Sequence, residues 1–217
     1  MATCPAALPT GDIDQHLFSP ARAVGLIRQA CASLRQAHAR GIVHRDVRPS
    51  NLFLTRHPRG GDLLKVLDFG IARRLQGDEA RLTLDGDAIG TPQFMAPETF
   101  RGAAPLPQVD VYGLGATLYF LVTGARPFGG GSPAALASAV TSAELVRPAA
   151  RTPLPDALDA VIVRALSRDL AERYASVDAL DAALAELEGP LLESHLGGAA
   201  TAEHRVGNDE PTLAIRR

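Results

Sequence analysis

The sequence predicts a mainly α fold of the α+β family, with helices gathered around one small β-hairpin, and three observations carry that expectation. Apolar residues recur at helical spacing over 20–40, 156–166 and 176–187, while 110–123 is apolar on nearly every face. Two short apolar runs, Leu52 to Leu54 and Leu63 to Leu67, flank the turn-like His57-Pro58-Arg59-Gly60-Gly61 and read as hairpin strands. With 217 residues and 46% hydrophobic content, the chain can bury one substantial core.

Residues 1–18 are punctuated by Pro and Thr with little periodicity and are expected to be irregular. Ser19 and Pro20 supply an N-cap and a first helical position, after which Val24, Ile27, Cys31, Leu34 and His38 line one face until Gly41 ends the run. After the hairpin, turn residues dominate from Ala72 to Pro107, a loop of a length usually kept for function. Asp110 to Thr123, closed by Gly124, belongs inside the core because no face of it is polar. Gly129 to Gly131 read as a flexible loop and cannot cradle a phosphate, since no strand precedes them. Asp156 to Leu166 and Ser176 to Leu187 form two amphipathic helices, the second capped by Ser176 or Asp178. Beyond Gly189 the pattern dissolves into Gly, Ala and charge, so the folded lobe is expected over 19–188 and a mobile tail over 189–217.

A net charge of -2 and a pI near 6.3 give no electrostatic reason to bind nucleic acid or an anionic membrane. Cys4 and Cys31 are too few for a disulfide framework and lack the paired spacing of a zinc site, so they read as reduced thiols. No basic region followed by an apolar stretch opens the chain and no apolar run spans a bilayer, so the expected location is the cytoplasm. Cationic residues are almost all arginine, and Lys65 is the only lysine.

The chemistry-bearing residues come in a telling order. Between the first helix and the hairpin stands His44-Arg45-Asp46-Val47-Arg48-Pro49-Ser50-Asn51, and the second strand runs into Asp68-Phe69-Gly70. Ala96-Pro97-Glu98 lies downstream. Each motif alone is weak. In this order, with Gly90-Thr91-Pro92, the Asp110-Val111-Tyr112-Gly113-Leu114-Gly115 helix opening, Gly124-Ala125-Arg126-Pro127-Phe128 and Arg173, they resemble the protein kinases, in particular bacterial Ser/Thr kinases of the eukaryotic-like type. The resemblance covers about residues 10–188 and implies the helical C-lobe of that family, with 1–18 as a remnant of the interlobe hinge region.

That resemblance implies roles. Asp46 would accept the proton of a substrate hydroxyl, while Asn51 and Asp68 would hold Mg2+ on the phosphates of ATP. Arg48 stands where the family usually places a lysine reaching the γ-phosphate; it keeps the charge but is a planar fork rather than a compact point charge. Thr91 matches the threonine that contacts the catalytic Asp and marks Ser/Thr specificity. Thr83, eight residues earlier, resembles the autophosphorylated threonines of bacterial relatives. Glu98 and Arg173 match a buried ion pair that fastens the activation segment. Asp110 matches the helix-start residue holding the catalytic loop, and His44 reads as a packed residue under Phe69.

A complete kinase sets a Gly-rich loop, a strand lysine and a helix glutamate ahead of the catalytic loop, and none precedes His44 here. The expectation is therefore a truncated protein Ser/Thr kinase, weak or inactive alone. Its partners would be a protein with a Ser/Thr acceptor and a kinase partner, either full-length or bringing a small lobe. The alternative is an inactive kinase-like binding or scaffold module, against which the intact Asp46, Asn51 and Asp68 speak. A small-molecule phosphotransferase is disfavoured by Arg45 and by Ala96-Pro97-Glu98. The same reading expects Leu52, Phe53 and Leu54 to form an apolar patch open to water.

Overall fold

The computed structural model describes residues 6–7, 18–58, 60–68, 92–104 and 106–203. In chain order the elements are β1 (Ala6–Ala7), α1 (Pro20–His38), β2 (Leu52–Arg56), β3 (Asp62–Val66), α2 (Gln108–Thr123), α3 (Pro133–Ser142), α4 (Asp156–Ala165) and α5 (Val177–Glu203). Short 3-10 segments lie at Pro49–Asn51, Pro92–Phe94, Pro97–Arg101 and Pro148–Ala150.

Helix α2 is the axis of the core. Every residue from Val109 to Val122 is buried, as its all-round apolar sequence requires. Its interior Thr117 satisfies its hydroxyl by donating to the Gly113 carbonyl at 2.7 Å. Two glycines let neighbours close on this helix. A Cβ at Gly113 would lie 2.8 Å from Val47 of the loop after α1, and one at Gly115 would lie 2.7 Å from Cβ of Ala165 on α4. The loop carrying Asp46 and the helix α4 thus rest directly on α2 backbone.

Helix α1 is capped by Ser19, whose hydroxyl accepts the Arg22 N–H, with Pro20 in the first turn. It buries Val24, Ile27, Ala30, Cys31 and Leu34 and packs against α2 and α5. Burial pushes the free Cys31 thiol up to about 12, with the Asp181 charge a smaller cause, so its thiolate is not available.

The hairpin forms with β2 antiparallel to β3 in the register Leu52↔Val66 and Leu54↔Leu64. A third strand stands outside it, since β1 pairs Ala6 with Leu54 and Ala7 with Phe53. The expectation that 1–18 is wholly irregular is corrected at those two residues. The outer edge of β2 offers unpaired N–H and C=O groups that any extended segment satisfies, and a two-residue strand is too short to show a period. The apolar patch expected at Leu52 to Leu54 is corrected as well: Leu52 is fully buried and Phe53 and Leu54 are partly buried. The large apolar residues exposed among the described residues are Ile42, Leu106 and Val146, scattered rather than contiguous.

Two helices differ from the sequence expectation. Helix α3 begins directly after Gly131 and Ser132, in a stretch for which no element was expected; Ser132 accepts the Ala135 N–H at 3.1 Å, and Leu136 and Val140 are its buried anchors. Helix α5 continues through Gly189 and Pro190 to Glu203, where a tail was expected from 189. Leu191 is buried just beyond the proline, so packing offsets the backbone hydrogen bond that Pro190 cannot make. Among the described residues no helix is long and apolar enough to cross a membrane.

Candidate active site

The loop between α1 and β2 is built around one buried carboxylate. Asp110, in the first turn of α2 and 1% exposed, accepts the backbone N–H groups of His44 and Arg45, each at 2.8 Å, and lies 2.7 Å from Nε2 of His38. A helix N-terminus favours a carboxylate, and three donors satisfy the charge that burial would otherwise strand. These bonds hold Arg45 at φ 68, a left-handed conformation that costs a residue with a Cβ about 1–3 kcal/mol. Sequence reasoning counted His38 only as a member of the apolar face of α1; its helical position beside the loop was the available signal.

His44 couples this loop to the hairpin. It is fully buried, its Nδ1 accepts the Asp46 N–H at 3.3 Å, and its Nε2 donates to the Leu67 carbonyl at 2.9 Å, a pattern that places the ring proton on Nε2. Asn51 locks the same region from the other side. Its Nδ2 donates to the Asp46 carbonyl at 2.7 Å and to Asp46 Oδ2 at 2.9 Å, while its backbone carbonyl accepts the Leu67 N–H at 2.9 Å. Leu67 is therefore bonded on both sides, and the exposed Asp68 comes next at φ 55. Arg45 and Asp68 are the non-glycine residues of positive φ among those described, and each adjoins a residue of this bonded group.

Arg48 Nε stands 3.4 Å from Asp46 Oδ2. The structure thus brings Asp46, Arg48 and Asn51 into contact, and Asp68 follows Leu67, which is bonded to Asn51 and His44. Lys65 is exposed on β3, paired across the hairpin with Phe53. Phe69, Thr83 and Thr91 lie outside the described residues.

Glu98 and Arg173 lie side by side away from water. Arg173 donates from its two terminal nitrogens to Glu98 Oε1 at 2.7 Å and Oε2 at 3.1 Å, and its Nε and Nη1 also donate to the Ser167 and Gln108 carbonyls at 2.8 and 3.0 Å. Its guanidinium also stands 5.1 Å from the centre of the Tyr112 ring. Burial raises the Tyr112 hydroxyl well above its ordinary value, with the Arg173 charge pulling the other way. The pair ties the 97–101 segment to the chain between α4 and α5.

Among the described residues no three of His, Cys, Asp and Glu converge into a metal cage. Asn51 and Asp68 offer hard oxygens from two different elements. With Nδ2 of Asn51 committed to Asp46, its Oδ1 is the atom left for a cation. That donor set suits Mg2+, which keeps several waters and is completed by phosphate oxygens, and does not suit a tetrahedral zinc site.

Residues 7–183 match the family model described as Protein kinase domain. The chain is 36% identical over 199 residues to the serine/threonine-protein kinase PknB of Mycolicibacterium smegmatis, covering 91% of this chain and 30% of that protein. It is 40% identical over 204 residues to the serine/threonine-protein kinase Pkn1 of Myxococcus xanthus, covering 87% of this chain and 28% of that protein. It spans less than a third of the length of these relatives. Among solved structures, it resembles the PknI kinase domain of Mycobacterium tuberculosis with a TM-score of 0.61 and 25% identity, covering 80% of this chain and 58% of that one. It also resembles Rad53 1-466 in complex with AMP-PNP, with a TM-score of 0.62 and 22% identity over 77% of this chain and 41% of that one, a likeness of fold alone.

Proposed function

The chain belongs to the protein kinase domain family, and on that premise we propose that residues 19–188 form the metal and substrate-hydroxyl side of an ATP-dependent protein Ser/Thr phosphotransfer site. The observation that carries this reading is the shared bonding of Asp46, Asn51 and the Leu67–Asp68 strand end on one frame. Asp46 Oδ2 is held by Asn51, which leaves Oδ1 to accept the proton of a Ser or Thr hydroxyl. Asn51 Oδ1 and the Asp68 carboxylate would hold Mg2+, which would offset charge on the ATP phosphates. Arg48 keeps a cation next to the base, where it balances the charge of the phosphoryl being transferred. His44, Asp110 and the Glu98–Arg173 pair position these groups without touching the substrate.

Two further roles belong to this reading. Thr91 is the residue that selects Ser/Thr acceptors. Thr83 takes a regulatory phosphate, close to two negative charges, which pairs with Arg45. The substrate is a protein with a Ser or Thr acceptor, and a kinase small lobe is what completes the nucleotide site. Positioning supplies most of the rate in this chemistry, and a displacement of about an ångström costs on the order of a hundredfold. Residues 1–217, whose one lysine is exposed on β3, should therefore transfer little phosphate by themselves.

The test is ATP-dependent phosphate incorporation into a Ser/Thr peptide by purified residues 1–217 beside an Asp46→Asn control. Background incorporation by both is expected. Robust incorporation by the parent and none by the control would overturn the one-sided site.

A further inference from the structure

Helix α1 reaches β3 in the middle of the strand through a single amide. Gln29 Oε1 accepts the Leu64 N–H at 2.9 Å, and Gln29 Nε2 donates to the Asp62 carbonyl at 3.2 Å. β3 is the outer strand of its sheet, so these groups lie on the edge turned away from β2, where they would otherwise lack a strand partner. One side-chain amide stands in for that partner. Neither a carboxylate nor a thioether supplies both the donor and the acceptor this requires. Close by, Arg22 grips the Asp62 carboxylate with Nε at 2.6 Å and a terminal nitrogen at 3.3 Å, and the Leu64 side chain is buried.

Beyond this pin, β3 runs into the strand end of the candidate site. Leu67 bonds to Asn51 and to His44, and Asp68 comes next. Because side chains alternate along a strand, a one-residue slip would turn Leu64 out of the core and carry Asp68 away from Asn51. We infer that Gln29 is a positioning residue for Asp68: it fixes the register and height of β3 on α1, so that the Asp68 carboxylate stands beside Asn51. The inference rests on the reading of Asn51 and Asp68 as cation ligands.

The experiment compares the full 217-residue chain with Gln29→Met, Gln29→Glu and Asp68→Asn, and with Ala30→Gly as a destabilising control on the same helix. Mn2+ alone is titrated by electron paramagnetic resonance, and amide hydrogen exchange is followed at Leu67. Gln29→Met should weaken Mn2+ binding about tenfold, as loss of an outer-shell support does, and should speed Leu67 exchange by a similar factor. Gln29→Glu, which keeps the bond to Leu64 but offers no N–H to Asp62, should move both readouts the same way and less. Ala30→Gly should move neither. Parental Mn2+ affinity and parental Leu67 exchange in Gln29→Met would overturn the inference, and so would equal changes in Ala30→Gly. Should Gln29→Met fail to fold, Gln29→Glu is judged by the same two readouts. Mn2+ binding by Asp68→Asn equal to the parent's would refute the metal reading instead, and Leu67 exchange would then decide the role of Gln29 by itself.

Discussion

Two sets of charged groups hold this lobe together on opposite terms. Beneath the candidate site, Asp110 and the Glu98–Arg173 pair are taken out of water, and each is held by hydrogen bonds to named partners. Where α1 meets α5, Arg28 and Arg35 reach Asp178, Asp181 and Glu188, and most of those side chains stay partly in solvent. A buried pair tolerates one geometry, because any other strands a charge. An exposed pair tolerates many, and water and salt screen it. The unforgiving set lies where loop positions matter, and the forgiving set joins two helices whose apolar faces already fix them.

The largest effect should come from breaking the buried pair. Arg173→Ala leaves Glu98 buried without its cation, at a cost of about 3–5 kcal/mol, or on the order of ten degrees in the melting temperature of a domain this size. Thermal unfolding by circular dichroism checks it; a shift of a degree or two would mean that the pair contributes no more than an exposed one. Asp110→Asn preserves shape but removes the charge and one acceptor site among three donors, at a cost of about 1–3 kcal/mol. Hydrogen exchange should accelerate at the His44 and Arg45 amides and not in α5.

Gly113→Ala and Gly115→Ala sharpen the comparison further. Both place a Cβ under 3 Å from a neighbour, and each should cost about 1–3 kcal/mol. Only Gly113 faces Val47, beside Asp46, so only that substitution should shift the side-chain amide resonances of Asn51.

The forgiving network should yield the smallest effects. Arg35→Ala should cost about 0.2–1 kcal/mol and less at high salt, as chemical denaturation at two ionic strengths would reveal. Burial by itself would raise the Asp181 carboxyl, but hydrogen bonds and charge from Arg28 and Arg35 outweigh it and hold the group below its ordinary 3.8. A carboxyl lowered in the folded state adds stability above its unfolded value and loses it as pH falls through the folded one. Asp181→Asn should therefore differ from the parent at neutral pH, and the difference should begin to shrink only as pH falls below about 4. Parallel stability curves down to acid pH would contradict that assignment.

Much of this frame was legible in the sequence, because it is local. Ser19 and Pro20 announce α1, the unbroken apolar run announces α2, and the Pro-Arg-Gly-Gly turn announces the hairpin. The spacing of Asp46 and Asn51 marked them as one set, and the structure brings the two into contact. Helix α3 was missed although Ser132 and Pro133 repeat the opening of α1, since alanine and serine around Leu136 and Val140 blur its apolar face. The length of α5 was missed because Gly189 and Pro190 read as a stop, whereas the helix runs on past them with Leu191 buried. The roles of His38 and Gln29 depend on partners 72 and 35 residues away, which no local pattern can name.

The most direct test joins residues 18–217 to the small lobe of a complete bacterial relative and measures ATP-dependent phosphate incorporation into a Ser/Thr peptide. The joined parent should transfer phosphate. Asp46→Asn and Asp68→Asn should each abolish transfer while their melting temperatures stay near the parent's. Transfer at the parental rate by either folded variant would contradict the claim that Asp46, Asn51 and Asp68 form the metal and hydroxyl side of a phosphotransfer site.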